Sequence, residues 1–416
     1  MRDIAVIGGG ISGLAVAYFL SRRHRVHLFE RESRLGGHTN TVSVATEGGD
    51  VALDTGFLVF NHRTYPHLVW LFEELGVATR DSDMSFAVAC RRTGLEYSSR
   101  GAAGFFAQPR NLWNRSHLRL LAEIIRFNRE APMLLQTTEG GGVTLGEFLD
   151  QRRFGEEFTH RYLLPMASAI WSASLEAIRS FPAITLVRFF DNHGLLGLRS
   201  QPTWKVVDGG SSRYIAPLAR PFRDRVVLDA PVDTVARGAD GVTLSFTDRP
   251  SQTFDEVVLA CHGDQVLRLL ADPTNCEREV FSRFRTTTNL VYLHTDASLL
   301  PTRARARASW NYLLADGDAT QPAVTYDLNR LQRLETSERY CVTLNPRQPI
   351  DESRVLRRFV YQHPLYDHDA IGAQHRWQDV SGVNRTHYCG AYWGYGFHED
   401  GLTSALRVAR TLGVTW

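Results

Sequence analysis

"DIAVIGGGISGLAVAYFLSRRHRVHLFERE" covers residues 3 to 32, and the order of patterns within it decides the fold. Ile4 to Ile7 form a short apolar run of the kind that makes a strand buried on both faces. The run passes into Gly8-Gly9-Gly10-Ile11-Ser12-Gly13 and then into an apolar helix ending near Leu20, after which a second strand, Val26 to Phe29, stops at Glu30. Each residue type has a task in that order. Gly8 permits a tight turn, Gly10 lets a pyrophosphate approach the backbone, and Gly13 allows close packing of helix on strand. The helix N-terminus, with Ser12 in its first turn, then faces the phosphates. Glu30 can accept hydrogen bonds from both hydroxyls of an adenosine ribose, and its charge repels a 2'-phosphate. A glycine-rich turn without a ligand is the bland alternative, but the complete succession of strand, glycines, helix, strand and acid argues against it.

Length and composition bound the rest. With 416 residues, 43% of them hydrophobic, the chain is long enough for at least two packed units. A formal net charge of +2 supplies no field that would draw nucleic acid. The five cysteines are scattered without a CxxC pair, so neither a disulfide framework nor a metal site is expected and a reducing compartment fits. No apolar run reaches the roughly 18 residues of a membrane span, and the first motif starts within a few residues of Met1. The expectation is a cytoplasmic protein, at most peripheral to the inner face of the membrane, whose oligomeric state the sequence does not disclose. Lys205 is the sole lysine, a fact that bears on mechanism.

The residues beyond Glu30 favour FAD over NAD. "RLGGHTNT" (34–41) places Gly36 and Gly37 where an NAD-type fold would be starting its next helix, and resembles the FAD signature of the amine oxidase and phytoene desaturase superfamily. "VALDTGFLVFN" (51–61) is similar to that superfamily's strand and turn beside the flavin, and "WKVVDGGSSRYIAPLARPF" (204–222) to its return to the nucleotide domain. More narrowly, "RTYPHLVWLFEELGV" (63–77), "LPMASAIWS" (164–172), "NHGLL" (192–196) and "GAYWGYGFHEDG" (390–401) resemble a bacterial subgroup of predicted NAD/FAD-binding, amine-oxidase-like proteins. The resemblance implies an α/β fold with a Rossmann-like FAD-binding domain of the glutathione reductase type, built from residues 1–61, 203–268 and 382–416. An inserted α+β substrate domain would comprise 62–202 and 269–381, its helical part broken by "TEGGG" (138–142).

Carried onto this chain, the resemblance implies noncovalent FAD held by Gly8, Gly10, Ser12, Gly13, Glu30 and Arg31, and by Gly36, Gly37, His38 and Thr39. Gly56, Phe57 and Val232 would join them, with Gly390, His398, Glu399 and Gly401 closing the site from the other end of the chain. The catalytic candidates are His398 as titratable group, Tyr395 and Trp393 as pocket walls, and Asn289. Asn289 stands where amine oxidases carry a lysine that holds water against the flavin. His38 likewise replaces an arginine after the glycine pair, exchanging a permanent charge for a titratable one.

A vacant lysine position speaks against routine amine oxidation but not against hydride transfer from a positioned C–H bond. The leading expectation is an FAD-dependent oxidoreductase acting on a small hydrophobic or lipid-like substrate, such as a fatty acyl chain; the subgroup resemblance points to modification of unsaturated, methylated or cyclopropane fatty acids. Alternatives are a redox-neutral double-bond isomerase, an amine or amino acid oxidase, and a flavoprotein scaffold without turnover.

Three further stretches stay open. "HPLYDHD" (363–369) offers metal-ligand types in poor spacing and reads as surface loop. "RSHLRLLAEIIRFNRE" (115–130) puts Leu118, Leu121, Ile124 and Ile125 on one helical face among arginines, either against the core or on an anionic membrane. "RARAR" (303–307) alternates like a strand with one cationic face.

Overall fold

The computed structural model of the chain describes residues 1–136, 142–197, 202–314 and 321–415. The expected glycine-rich break at 138–142 therefore lies, Gly142 apart, outside the described residues.

Three distant parts of the chain build one parallel sheet. Its strands run in the order Val226–Val227, Arg25–Phe29, Asp3–Ile7, Glu256–Leu259, Thr386–Tyr388, each pair parallel. Ile4, Ala5 and Val6 are fully buried, as are Val26, Leu28, Val257, Val258 and Leu259, because the helix Ile11–Leu20 packs on this sheet and so does a small antiparallel sheet of Thr234–Arg237, Val242–Ser245 and Gln252–Phe254, whose Phe254 meets His27 and Phe29. The helix Ile11–Leu20 is buried nearly all round, since it packs on this sheet and also against the C-terminal helix His398–Thr411. Gly8 has a φ of +109°, and a Cβ there would stand 2.9 Å from the Ala260 carbonyl oxygen. At Gly13 a Cβ would fall 1.8 Å from the Gly8 carbonyl oxygen, so the close approach of helix to loop admits no side chain.

A second, seven-stranded sheet has the order Val355–Leu365, Arg285–His294, Cys341–Leu344, Ala323–Asp327, Trp310–Leu313, Phe86–Cys90, Leu95–Ser98. It is antiparallel except where Trp310–Leu313 meets Phe86–Cys90. Helices between residues 115 and 192 form a layer whose core includes Phe127, Phe148, Phe158, Leu163 and Phe190. Trp204–Val207 pairs with both Phe60–Asn61 and Thr79–Asp81, joining the two halves of the molecule.

Asp54 is the polar bolt at this junction. Its buried carboxylate accepts bonds from Thr41 Oγ1 (2.6 Å), Ser211 N (2.8 Å) and Ser211 Oγ (2.8 Å), while its own amide donates to Gln332 Oε1 (3.0 Å). Burial pushes its pKa up to about 6 against the pull of those donors.

Three expectations are corrected. The helix Arg115–Glu130 does face the core, but through His117, Leu120, Ile124 and Phe127, leaving Leu118 and Ile125 exposed. Residues 303–307 form turns rather than a strand; the Arg303 amide and guanidinium both donate to the buried Glu96 carboxylate, and Arg307 Nε donates to the Pro301 carbonyl. His363 lies in the strand Val355–Leu365 and is half-buried; Asp367 caps the helix His368–Gln374 and Asp369 pairs with Arg283, so the stretch is not simply a surface loop.

Candidate functional site

The two glycine turns lock together at one end of a long cavity. Gly36 N donates to Gly9 O at 2.8 Å, and Gly36 (φ +116°) and Gly37 (φ +56°) adopt the left-handed backbone that favours glycine. Glu30 is buried beside them: its Oε2 accepts from Gly9 N at 2.5 Å and its Oε1 from Glu32 N at 2.9 Å. Both carboxylate oxygens keep lone pairs for a ligand. Arg34 braces the second turn by donating to the carbonyls of Gly37 (2.9 Å) and Thr39 (3.2 Å). A Cβ on Gly10 would meet nothing within 4 Å, because that position opens onto the cavity. The helix Ile11–Leu20 receives no side-chain cap, so its first amides are free for an anion.

The cavity holds about 1180 Å³, more than the roughly 300–1,000 Å³ of a typical small-molecule pocket. Its size suits a large cofactor together with a second ligand. Gly8, Gly10, Ser12, Glu30, Arg31 and Val232 line the nucleotide end; Gly36, Gly37, His38, Gly56 and Phe57 line the middle, joined there by Gly390 and His398. Tyr395 lines the far end.

The middle is rich in neutral imidazole. His398 Nε2 lies 2.9 Å from Thr39 Oγ1, which in turn bonds Tyr214 OH at 2.5 Å, and its ring stacks on Phe57 at 3.8 Å. His38 packs 5.8 Å from His262 and 5.2 Å from His363, ring centre to ring centre. Burial first, and then the neighbouring histidines, lower the pKa of His38 and His262 to about 4 and that of His363 and His398 to about 3. All four are neutral at pH 7, and His38 Nε2 has no hydrogen-bond partner among the described residues. Burial also pushes the Cys261 thiol, on the cavity wall, up to about 12, so it is no nucleophile at neutral pH.

Several residues expected at the site stand behind it. Thr39 is 1% exposed and serves as the hydrogen-bond partner of His398. Gly13 and Gly401 are contact points between elements; a Cβ on Gly401 would lie 2.8 Å from Ser12 Oγ. Glu399 turns away: its carboxylate accepts from His67 N (3.0 Å), Leu68 N (3.0 Å) and His67 Nδ1 (2.7 Å), capping the helix Pro66–Leu75. Trp393 is no wall of the cavity, for it packs edge-on against Phe281 and Phe284 on another side of the segment. Asn289 is fully buried and does not reach the cavity either.

What Asn289 does touch is His363. Its Nδ2 donates to His363 Nδ1 at 2.9 Å, and its Oδ1 accepts from Asn345 Nδ2 at 2.7 Å. Because an amide nitrogen can only donate, the ring proton of neutral His363 is placed on Nε2. Asn345 holds a left-handed backbone (φ +45°) while making this bond. Tyr361, two residues before His363 on the same strand, is pinned through its hydroxyl by Asn40 Nδ2 and Thr55 Oγ1, both at 2.8 Å. The alternation Phe359, Tyr361, His363 is the sequence signal that would have found this wall. His262, at the tip of the strand Glu256–Leu259, also lines the cavity.

The chain belongs to the family of flavin-containing amine oxidoreductases, whose family model matches residues 11–368. Its cofactor is FAD. Among curated relatives, the coproporphyrinogen III oxidase of Mycobacterium leprae is 27% identical over 284 residues, 65% of this chain and 61% of that enzyme. The chain spans about three fifths or less of the curated relatives it matches. Two solved structures share the fold over nearly the whole length. A redesigned putrescine oxidase has a TM-score of 0.70 at 16% identity, covering 99% of this chain and 98% of its own. The fatty acid isomerase of P. acnes that produces CLA has a TM-score of 0.68 at 15% identity, with 98% of each chain covered.

The residues fit the cofactor. An open position at Gly10, uncapped helix amides, a buried acid with spare lone pairs and an unpartnered His38 Nε2 all border one cavity.

Proposed function

We propose that the protein is an FAD-dependent oxidoreductase that removes a hydride from an apolar, chain-like substrate of the fatty acyl class. The observation that carries this reading is the chemistry of the cavity's far end. Met84, Phe86, Met166, Ile170, Trp310 and Phe359 are among its walls. Among the described residues, the acids on the cavity are Glu30 and Glu32 and the arginines Arg31, Arg34 and Arg268, all grouped with the nucleotide loops. Lys205 is spent elsewhere, 2.9 Å from Asp81. A substrate whose reacting end carries an ammonium or carboxylate would bring that charge among walls that hold no counter-ion, at a cost of several kcal/mol, whereas a fatty acyl chain reacts at carbons remote from its carboxyl end.

Gly8 to Gly10 and the first helix amides would hold the pyrophosphate, Glu30 the adenosine ribose, and His38 Nε2 a polar group of the cofactor. When bound, FAD supplies the hydride acceptor. The protein's part is positioning: the Phe359, Tyr361 and Tyr395 rings align the chain and exclude water, and His363 offers a fixed Nε2–H in place of a lysine. His398, neutral and hydrogen-bonded to Thr39, donates or accepts without bringing charge into the site.

A redox-neutral isomerisation, in which the hydride returns to another carbon, would use the same walls; the likeness to a fatty acid isomerase supports it as the second reading. Anaerobic mixing of the yellow holoprotein with unsaturated fatty acid or phospholipid, and with amines for comparison, separates the readings. Persistent bleaching by lipid is the expected result. Isomerised lipid without net bleaching establishes the second reading, and bleaching by amines alone refutes both.

A further inference from the structure

Nine large hydrophobic side chains are exposed among the described residues, and five of them fall between residues 112 and 133: Leu112 (49%), Trp113 (86%), Leu118 (41%), Ile125 (53%) and Met133 (53%). They occupy the outer face of the helix Arg115–Glu130 and the turns at its two ends. Monomeric proteins scatter such residues; a cluster marks a surface made to be covered.

The charges around the cluster indicate what covers it. At 100° per residue, Leu118 and Ile125 share the outer face with Arg115, Arg119 and Arg129. No carboxylate pairs with Arg115 or Arg119 among the described residues, and Arg129 comes no nearer than 4.0 Å to Glu130. Arg126 is turned aside over the Phe154 ring, donating to the carbonyls of Arg152 and Arg153. The helix's own acids lie on its flank: Glu123 accepts from the Gly155 amide and Glu130 sits 3.9 Å from Arg126. Glu157, the acid that senses Arg119, is bonded to Ser116. The outer face therefore combines apolar side chains, an exposed tryptophan, two arginines without a carboxylate partner among the described residues (Arg115 and Arg119) and a third, Arg129, only loosely paired.

We infer that this face docks on an anionic lipid bilayer, with the helix lying in the interface plane, Trp113 and Ile125 entering the acyl boundary and Arg115, Arg119 and Arg129 meeting lipid phosphates. A second copy of the chain fits less well, because a two-fold interface would set these arginines against themselves. The helix's inner face, through Leu120, Ile124 and Phe127, packs in the same core as Trp171 and Tyr366, which line the cavity, so docking would bring the substrate end close to a lipid source. That last link rests on the lipid reading above; the docking itself does not.

Sedimentation of the holoprotein with vesicles tests it without turnover. Vesicles of phosphatidylcholine containing phosphatidylglycerol are expected to carry the protein down and pure phosphatidylcholine vesicles to carry far less, with binding weakening as salt rises. Arg115→Gln/Arg119→Gln/Arg129→Gln should lower partitioning about a hundredfold, at roughly fivefold per arginine. Trp113→Ser/Ile125→Ser should lower it too, while FAD content and melting stay unchanged because all five positions are exposed. Brominated lipids should quench wild-type fluorescence more than that of Trp113→Phe. Wild-type protein that ignores anionic vesicles, or variants that bind as well as wild type, would overturn the inference. So would a concentration-dependent dimer that Ile125→Arg dissolves, which would assign the face to protein contact.

Discussion

Replacing Asn289 by aspartate inverts the electrostatics of the His363 wall with little change of shape. In the wild type the Asn289 amide donates to His363 Nδ1 at 2.9 Å, which favours a neutral ring, and burial holds its pKa near 3. Asn289→Asp exchanges that donor for a carboxylate that still accepts the bond from Asn345 Nδ2. The new charge centre would lie about 4 Å from the imidazole. At an effective dielectric constant of about 20 the attraction is about 4 kcal/mol. At 1.36 kcal/mol per unit this raises the His363 pKa by about 3, to about 6. The groups facing His363, namely His38 and His262, are neutral in that range and do not offset the gain. The carbon-bound ring protons of labelled histidine, followed by NMR and assigned with a His363→Gln variant, report the titration. His363 should be silent from pH 5 to 9 in the wild type and titrate near 6 in Asn289→Asp. Substrate-driven flavin bleaching should acquire the same pH dependence in the variant alone. A wild-type His363 that titrates near 6.5, or a variant ring that stays silent, would refute the claim that Asn289 sets its protonation.

Gly10→Ala should fold normally and purify with FAD content at least tenfold lower, since its methyl group enters open cavity space. Gly13→Ala should lose roughly 1–3 kcal/mol or more of stability, because its methyl group meets the Gly8 carbonyl; equal FAD content in wild type and Gly10→Ala would contradict the placement of the phosphates. Glu399→Ala should lower the urea midpoint by the equivalent of about 1–2 kcal/mol through loss of the cap on Pro66–Leu75, with flavin absorbance per chain unchanged. For the four cavity histidines, His38, His262, His363 and His398, the folded pKa lies below the usual 6.5, so below that pH the unfolded chain binds protons that the native one refuses. These four rings therefore lower stability as pH drops from 6.5 toward 4, by up to about 5 kcal/mol per pH unit when all contribute, and the buried Asp54 and Asp400, whose pKa values are raised to about 6 and about 7, offset part of that fall. Urea midpoints at pH 7, 6 and 5 that do not move would show the rings to be solvated.

The nucleotide end was legible because its signals are local. Strand, glycine turn, helix and terminal acid succeed one another within thirty residues, and each acts through its own backbone. The far end was not, because its walls meet only through long-range pairing. His363 looked like loop because Pro364 and the acids after it resemble turn chemistry, whereas Thr286 pairs with Pro364 and extends the strand past it. Trp393 and Tyr395 are two residues apart in a glycine-rich segment without strand periodicity, so sequence adjacency could not say that one ring would line the cavity and the other would not. Glu399 followed the pattern of a helix-opening acid, but it serves the start of a different helix, 332 residues earlier in the chain. Asn289 was noticed for the lysine it replaces; its tie to His363 spans 74 residues and two strands.

The C-terminal helix that touches Ser12 also sets a time at which the cofactor can be taken up. Gly13 leaves the ribosome long before His398 exists, and at 5–20 residues per second the glycine loop waits roughly 20–80 s for the segment that closes over it. Until then Thr386–Tyr388 is missing from the edge of its sheet and His398 from the cavity. Flavin loading thus waits for this late segment, and chains cut short before Thr386 should emerge colourless however much FAD the cell contains.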